Sequence, residues 1–151
     1  MKEKQKTFCF VVPSFFNEYK GGAELQCYYL AQELIRRGWT IHYIREHRNQ
    51  IHPNTYTFQG ITIHGVKEKR NELRWLNEIQ LYQIMNEIKA DYWYCRASIS
   101  YLHPVLKNAK KINNSMVIWA CSHENELKPI KNLNPIKWLL SIYSSPILWA
   151  W

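Results

Sequence analysis

No stretch of this 151-residue chain approaches the run of about 20 uninterrupted apolar residues that a membrane-spanning helix needs. The apolar run Phe8 to Pro13 is too short for the core of a secretory leader, so the expected location is the cytoplasm. Cysteine is sparse. Cys9, Cys27, Cys95 and Cys121 are widely spaced, without zinc or redox spacing, and three of them fall in apolar runs, which predicts buried, reduced thiols. The six histidines have no metal-ligand spacing, so no metal is expected. Also missing are Gly-x-Gly-x-x-Gly, Gly-x-x-x-x-Gly-Lys-Ser/Thr, His-Glu-x-x-His and a nucleophile elbow. These absences argue against an ordinary dinucleotide dehydrogenase, a triphosphatase of the P-loop type, a zinc peptidase and a serine hydrolase. Internal repeats and low-complexity linkers are absent too.

What is present suits one domain of ordinary size, because 46% hydrophobic and 15% aromatic residues are enough to bury its core. The formal charge of +8 favours anionic partners. The basic residues are scattered through Arg36–Arg37, Lys67–Arg70 and Lys107–Lys111, with no nucleic-acid motif and no interleaved aromatic stripe. Phosphate-bearing small molecules or an acidic membrane surface are therefore preferred to nucleic acid.

Strands and helices alternate along the chain. Phe8 to Pro13 reads as a first buried strand, followed by the turn Tyr19-Lys20-Gly21-Gly22 and a helix from Gly22 to Arg37. Cys27, Leu30, Ala31 and Leu34 fall on one face of that helix, and Gly38 caps its C-terminus. Thr40 to Arg45 predicts a second strand, a polar loop runs through Thr57, and Ile61 to Val66 predicts a third strand. A helix over Glu72 to Lys89 carries Leu81, Ile84, Met85 and Ile88 on one face. Asp91 caps the turn into a fourth strand, Tyr92 to Cys95, and a short helix begins around Pro104. Met116 to Cys121 is the fifth strand. This order predicts an α/β fold: a Rossmann-like open, mostly parallel sheet with helices on both faces.

In such sheets ligands lie beyond the carboxyl ends of the strands, where strand order reverses. Three clusters fall at strand ends: Lys20-Gly21-Gly22, Arg96 with Ser98 and Ser100, and Ser122-His123-Glu124. An order 3-2-1-4-5 would line all three along one crevice. Gly21 and Gly22, at a helix start, either let the backbone approach an anion closely or form a plain turn. Arg96 either neutralises a phosphate or pairs with a carboxylate. His123 either serves function or orients the next loop. Glu24 is read as structural, complementing the helix dipole. Trp75, Trp93 and Trp119 are read as core, and His42, His47, His52, His64 and His103 as packing, surface or loop residues.

Gly21-Gly22-Ala23-Glu24, followed by Leu30-Ala31-x-x-Leu34-x-x-x-Gly38-x-x-Ile41, resembles the N-terminal half of the family 4 retaining glycosyltransferases, which have the GT-B fold. Lys89-Ala90-Asp91 leading into a strand, and the strand-terminal His123, resemble the same family, with good coverage from about Phe8 to Glu124. The resemblance implies sugar transfer from a nucleotide-sugar co-substrate to a glycan or lipid-linked acceptor, with retention and without metal or other cofactor. It also implies that Gly21, Gly22 and Arg96 face the donor diphosphate, that His123 acts catalytically, and that Ser122 and Glu124 meet the acceptor. The family's second domain, with its pair of glutamates seven residues apart, lies outside these 151 residues. The chain is therefore expected to be inactive alone, as a fragment, a half enzyme with a separate partner, or a non-catalytic binding module.

Residues 1–7 are expected to form a basic tail, 8–126 the Rossmann-like domain, and 127–151 an apolar, aromatic segment beginning an incomplete remainder. Ile136, Trp138, Leu139, Leu140 and Tyr143, with nearby lysines, suit a helix packed on the missing half. The alternative for this segment is peripheral attachment at the inner face of a membrane.

Overall fold

The computed structural model describes residues 5–47, 53–67, 78–96 and 99–120. Its elements are β1 (Thr7–Val11), α1 (Gly22–Arg36), β2 (Thr40–His47), β3 (Thr55–Phe58), β4 (Ile61–Lys67), α2 (Glu78–Ile88), β5 (Tyr92–Cys95), α3 (Ile99–Ile112) and β6 (Met116–Trp119). They form a six-stranded sheet in the order β3-β4-β2-β1-β5-β6, and every pairing is parallel except that of β3 with β4. The fold is α/β, with a mostly parallel, Rossmann-like open sheet. Setting β3 aside, the order is the 3-2-1-4-5 considered from the sequence.

Buried parallel strands must be apolar on both faces, and β1 shows why. Phe8 and Phe10 join Ile41, Tyr43, Ile61 and Ile63 beneath Cys27 and Ala31 of α1. Cys9 and Val11 point the other way, into a core with Ile44, Val66, Trp93 and Cys95 that Leu81 and Met85 of α2 and Leu102 and Val105 of α3 cover. Helices therefore lie on both faces. Cys9, Cys27 and Cys95 are free and buried, as the sparse cysteine pattern predicts. Trp93 is fully buried, with its indole N–H donating to Ser115 Oγ at 2.7 Å, and Trp119 packs against the same core. Asp91 reaches β1 directly, Oδ2 accepting from the Thr7 amide at 2.8 Å.

Helix α1 ends as its sequence predicts. Gly38, at φ 82°, is followed by the bonds Gly38 N–H to Ile35 O and Trp39 N–H to Leu34 O, which together close a Schellman cap. Three readings are corrected. Thr55–Phe58 is an antiparallel edge strand rather than loop, because Tyr56 and Phe58 turn inward while Thr55 and Thr57 stay exposed. Helix α3 begins at Ile99, so Pro104 lies inside it. Only one intrahelical bond is forfeited there, and Leu102, Val105 and Ala109 still bury one face. Leu30, expected on the buried stripe of α1, is 39% exposed, because the stripe runs instead through Cys27, Ala31, Leu34 and Ile35. Of the second helix, the part from Glu78 is described, with Leu81 and Met85 buried and Ile84 and Ile88 partly so. Residues 72–77, Trp75 among them, lie outside the described residues.

At the carboxyl end of β2 a charge is buried. Arg45 is 1% exposed; its Nη1 and Nη2 donate to the carbonyls of Glu46 and Pro53, and its Nε lies 2.8 Å from Glu18 Oε1. That contact is an ion pair rather than a well-aimed hydrogen bond. The same Glu18 oxygen accepts from Tyr56 Oη at 2.8 Å, and the guanidinium lies over the Tyr56 ring. One cluster thus ties β2, β3 and the loop after β1 together. Removing one partner strands the other charge in low dielectric. Glu18→Ala is therefore expected to lower unfolding stability in denaturant titration by about 3 kcal/mol, and adding Arg45→Met to recover roughly half of that. A loss below about 1 kcal/mol would show that the pair does not hold the loop.

Candidate functional site

Strand β1 has β2 on one side and β5 on the other, so the chain leaves its two neighbours in opposite directions, and a crevice opens at the carboxyl ends of β1 and β5. The loop after β1 enters it. Val12 N–H bonds to Ile44 O and Glu46 N–H to Pro13 O, extending the sheet pattern beyond the strand. Tyr43 Oη donates to Ser14 O at 2.8 Å, and Phe15 is wholly buried against Tyr43 and Phe58. A loop fixed at Ser14, Phe15 and Glu18 delivers Tyr19 to Gly22 to the carboxyl end of the sheet.

Gly21 is the N-cap of α1, with no side-chain cap. Its own amide bonds to Tyr19 O, while the amides of Gly22, Ala23 and Glu24 stand in the first turn, where no intrahelical acceptor exists. Gly21 is extended, at φ −110°, and Gly22 is helical, so neither needs the left-handed region. Space distinguishes them instead. A Cβ on Gly21 would lie 2.1 Å from Glu24 Oε2, whereas a Cβ on Gly22 would meet nothing within 4 Å. Gly22 thus leaves the helix end open. Glu24 folds back beside Gly21 and accepts from Ser14 Oγ at 2.7 Å, so part of the helix's positive end is already compensated. Beside Gly22 lies a half-open cleft of about 290 Å³, lined by Phe16, Lys20, Gly21, Gly22 and Leu25.

Arg96, just past β5, donates its backbone N–H to Val11 O at 3.3 Å and its Nη1 to Gln26 Oε1 of α1 at 2.5 Å. The structure thus brings Gly21, Gly22 and Arg96 to one end of the sheet, with Arg96 one turn along α1 from the glycines. Among the described residues this Arg96 partner is a neutral amide rather than the carboxylate considered from the sequence. Cys27, on the turn above, has its thiol pushed up to about 11 by burial, with Arg96 pulling the other way, which disfavours the thiolate at neutral pH. Ser122, His123 and Glu124 lie outside the described residues, as does Ser98. Among the described residues no group of three or more His, Cys, Asp or Glu is arranged to hold a metal, and no helix is long and apolar enough to cross a membrane. The sequence matches no protein-family model and no curated protein.

Sequence reasoning missed two features. One is the Glu18–Arg45–Tyr56 cluster. The other is a histidine pair away from the crevice: His42 Nδ1 lies 3.0 Å from His64 Nε2 across β2 and β4, with the rings stacked. Its only sequence signal was a histidine at an inward position of each strand, and the parallel register then sets them diagonally adjacent. Burial, and then repulsion from His64, lower the His42 pKa from 6.5 to about 4, and burial also lowers that of His64. The folded state holds His42 neutral where the unfolded chain protonates. Its stabilising contribution is therefore complete above pH 6.5 and is lost as pH falls through 4. Between pH 7 and 4.5 the denaturant midpoint is expected to drop by the equivalent of about 2 kcal/mol, allowing for partial exposure. His42→Asn is expected to flatten that dependence; an unchanged slope would assign the acid sensitivity to other groups.

Proposed function

We propose that this chain is the acceptor-side domain of a retaining glycosyltransferase, one that passes a sugar from a nucleotide-sugar donor to a glycan or lipid-linked acceptor in the cytoplasm. The observation that carries the reading is the convergence of Gly21, Gly22 and Arg96 around the carboxyl end of β1. When a glycosyl bond to a diphosphate breaks, negative charge collects on the departing oxygens while the sugar carbon becomes electron-poor. Groups already aimed at that charge lower the barrier, because they need no reorganisation at the moment of reaction. First-turn amides of α1, open at Gly22, the ammonium of Lys20 and the guanidinium of Arg96 supply such groups without a metal. Phe16 and Leu25 add an apolar wall for the face of a sugar ring.

In this reading the site is half of a donor site, and a second domain supplies the rest of the donor contacts. His123 would meet the transferring sugar, and Ser122 and Glu124 the acceptor, by resemblance alone. Binding without turnover is accordingly expected of the isolated chain. The alternative, a non-catalytic module descended from such an enzyme, differs in that pairing the chain with any second domain yields no transfer.

Glu24 makes the reading testable in both directions. Its carboxylate competes with an incoming diphosphate for the helix end, so Glu24→Gln is expected to tighten nucleoside diphosphate binding by about 2- to 5-fold. Gly22→Val fills the open approach and is expected to abolish binding in calorimetric titration with uridine and guanosine diphosphates and their sugar conjugates. Gly22→Ala, which meets no atom within 4 Å, is expected to keep the unfolding midpoint while weakening binding. Equal binding by wild type and Gly22→Val would reduce the glycine pair to a plain turn, and salt-sensitive binding to random DNA instead of diphosphates would overturn the reading.

A further inference from the structure

Between β1 and the β3 edge, the face of the sheet opposite α1 changes character. Beneath α2 and α3 it is apolar, and Cys9, Ile44 and Val66 are buried there. Side chains alternate along a strand, so His42 of β2 and Thr62 and His64 of β4 share that face, and all three are half-buried. Thr55 and Thr57 of β3, in register with His64 and Thr62, continue it and are exposed. The two histidines therefore stand on the border of the core. Buried Cys9, in register with His42, and buried Ile44, in register with His64, lie on the inner side, and the threonines lie on the outer side. Seven paired residues, Ile41–His47 against Ile61–Lys67, hold the two strands in place. Along the chain the histidines are 22 residues apart, so spacing in the sequence gives no sign of a metal site and only the parallel register brings them together.

We infer that His42 Nδ1 and His64 Nε2 form a two-histidine site for a late divalent transition-metal ion of tetragonal geometry, Cu(II) or Ni(II). This inference does not rest on the proposed function, and the site lies apart from the crevice at the end of β1. The facing nitrogens are 3.0 Å apart. An ion bound to both at about 2.05 Å subtends an N–metal–N angle of about 95° across that gap, close to the right angle between adjacent positions of a tetragonal ion. A tetrahedral ion needs about 3.3 Å between the same nitrogens, so the geometry favours copper or nickel over zinc. The nitrogens face each other directly, so the ion takes the place of the one proton the two rings share. Among the described residues no hydrogen-bond partner holds the other nitrogen of either ring. Neither tautomer is fixed from behind, and both facing nitrogens can present a lone pair. Two ligands on neighbouring strands act together, because binding to one places the other at high effective concentration. The remaining coordination positions go to water on the threonine side, which keeps the ion's charge out of the apolar core.

The test is denaturant unfolding of the full chain with nickel(II) chloride as the probe, set against the same titration in a chelator. At about 1 mM nickel the folding equilibrium constant is expected to rise at least about 10-fold, and by more than with zinc(II) chloride at the same concentration. His64→Gln, whose fold is checked by its metal-free transition, is expected to lose the rise, whereas His103→Gln, at an exposed position of α3, keeps it. A second measurement uses the unaltered chain: substoichiometric copper(II), which is paramagnetic, is expected to broaden the ring resonances of His42 and His64 in NMR spectra before those of His103. No rise with nickel, an equal rise in His64→Gln, a greater rise with zinc, or broadening that begins at His103 would each overturn the inference.

Discussion

Strand β1 is paired in parallel on both sides, with Thr7–Val11 matched to Thr40–Ile44 and Phe8–Val11 to Tyr92–Cys95, and nearly every other feature follows from that constraint. A strand with two parallel neighbours cannot expose either face, so both faces are apolar and each must be roofed by helix. The chain runs from β1 to β2 by α1 over one face and from β4 back to β5 by α2 over the other. The crevice where they part is left at the carboxyl end of β1, and the loop leaving β1 has nowhere else to go.

What that loop presents is decided by how it is held. Tyr43 and Arg45, on the strand beside β1, anchor it at Ser14 and Glu18, and Phe15 is plugged between Tyr43 and Phe58. On the proposed reading, stability and binding place opposite requirements on the same few residues: burying Arg45 demands a carboxylate beneath the loop, while an anion at the helix end above needs open amides. Glu24 stands between these demands. It steadies the turn through Ser14 and takes up part of the positive field that would draw an anion.

The parallel strands were readable in the sequence because a strand buried on both faces is a short unbroken apolar run, as in Phe8 to Val11 and Tyr92 to Cys95. Gly38 was readable because only a cap explains a glycine after the last turn of an amphipathic helix. The edge strand Thr55–Phe58 was hidden, since four alternating residues in a polar stretch carry little signal and take their structure from β4. Pro104 misled because its local cost is outweighed by packing of Leu102, Val105 and Ala109. Within the candidate site, the meeting of Gly21, Gly22 and Arg96 followed from strand order alone. The different reasons for the two glycines did not, because they depend on where Glu24 folds. Leu30 was misassigned for a related reason: periodicity locates the apolar side of a helix, whereas its contacts decide which residues lie at the centre of that side.

The central claim is that the end of β1 receives a diphosphate, and amide chemical-shift mapping of the full chain with uridine diphosphate reads it residue by residue. The account predicts saturable shifts confined to Lys20 through Leu25 and Arg96, with the backbone of β3 and β4 unmoved. Shifts centred elsewhere, or none at millimolar ligand, would contradict it.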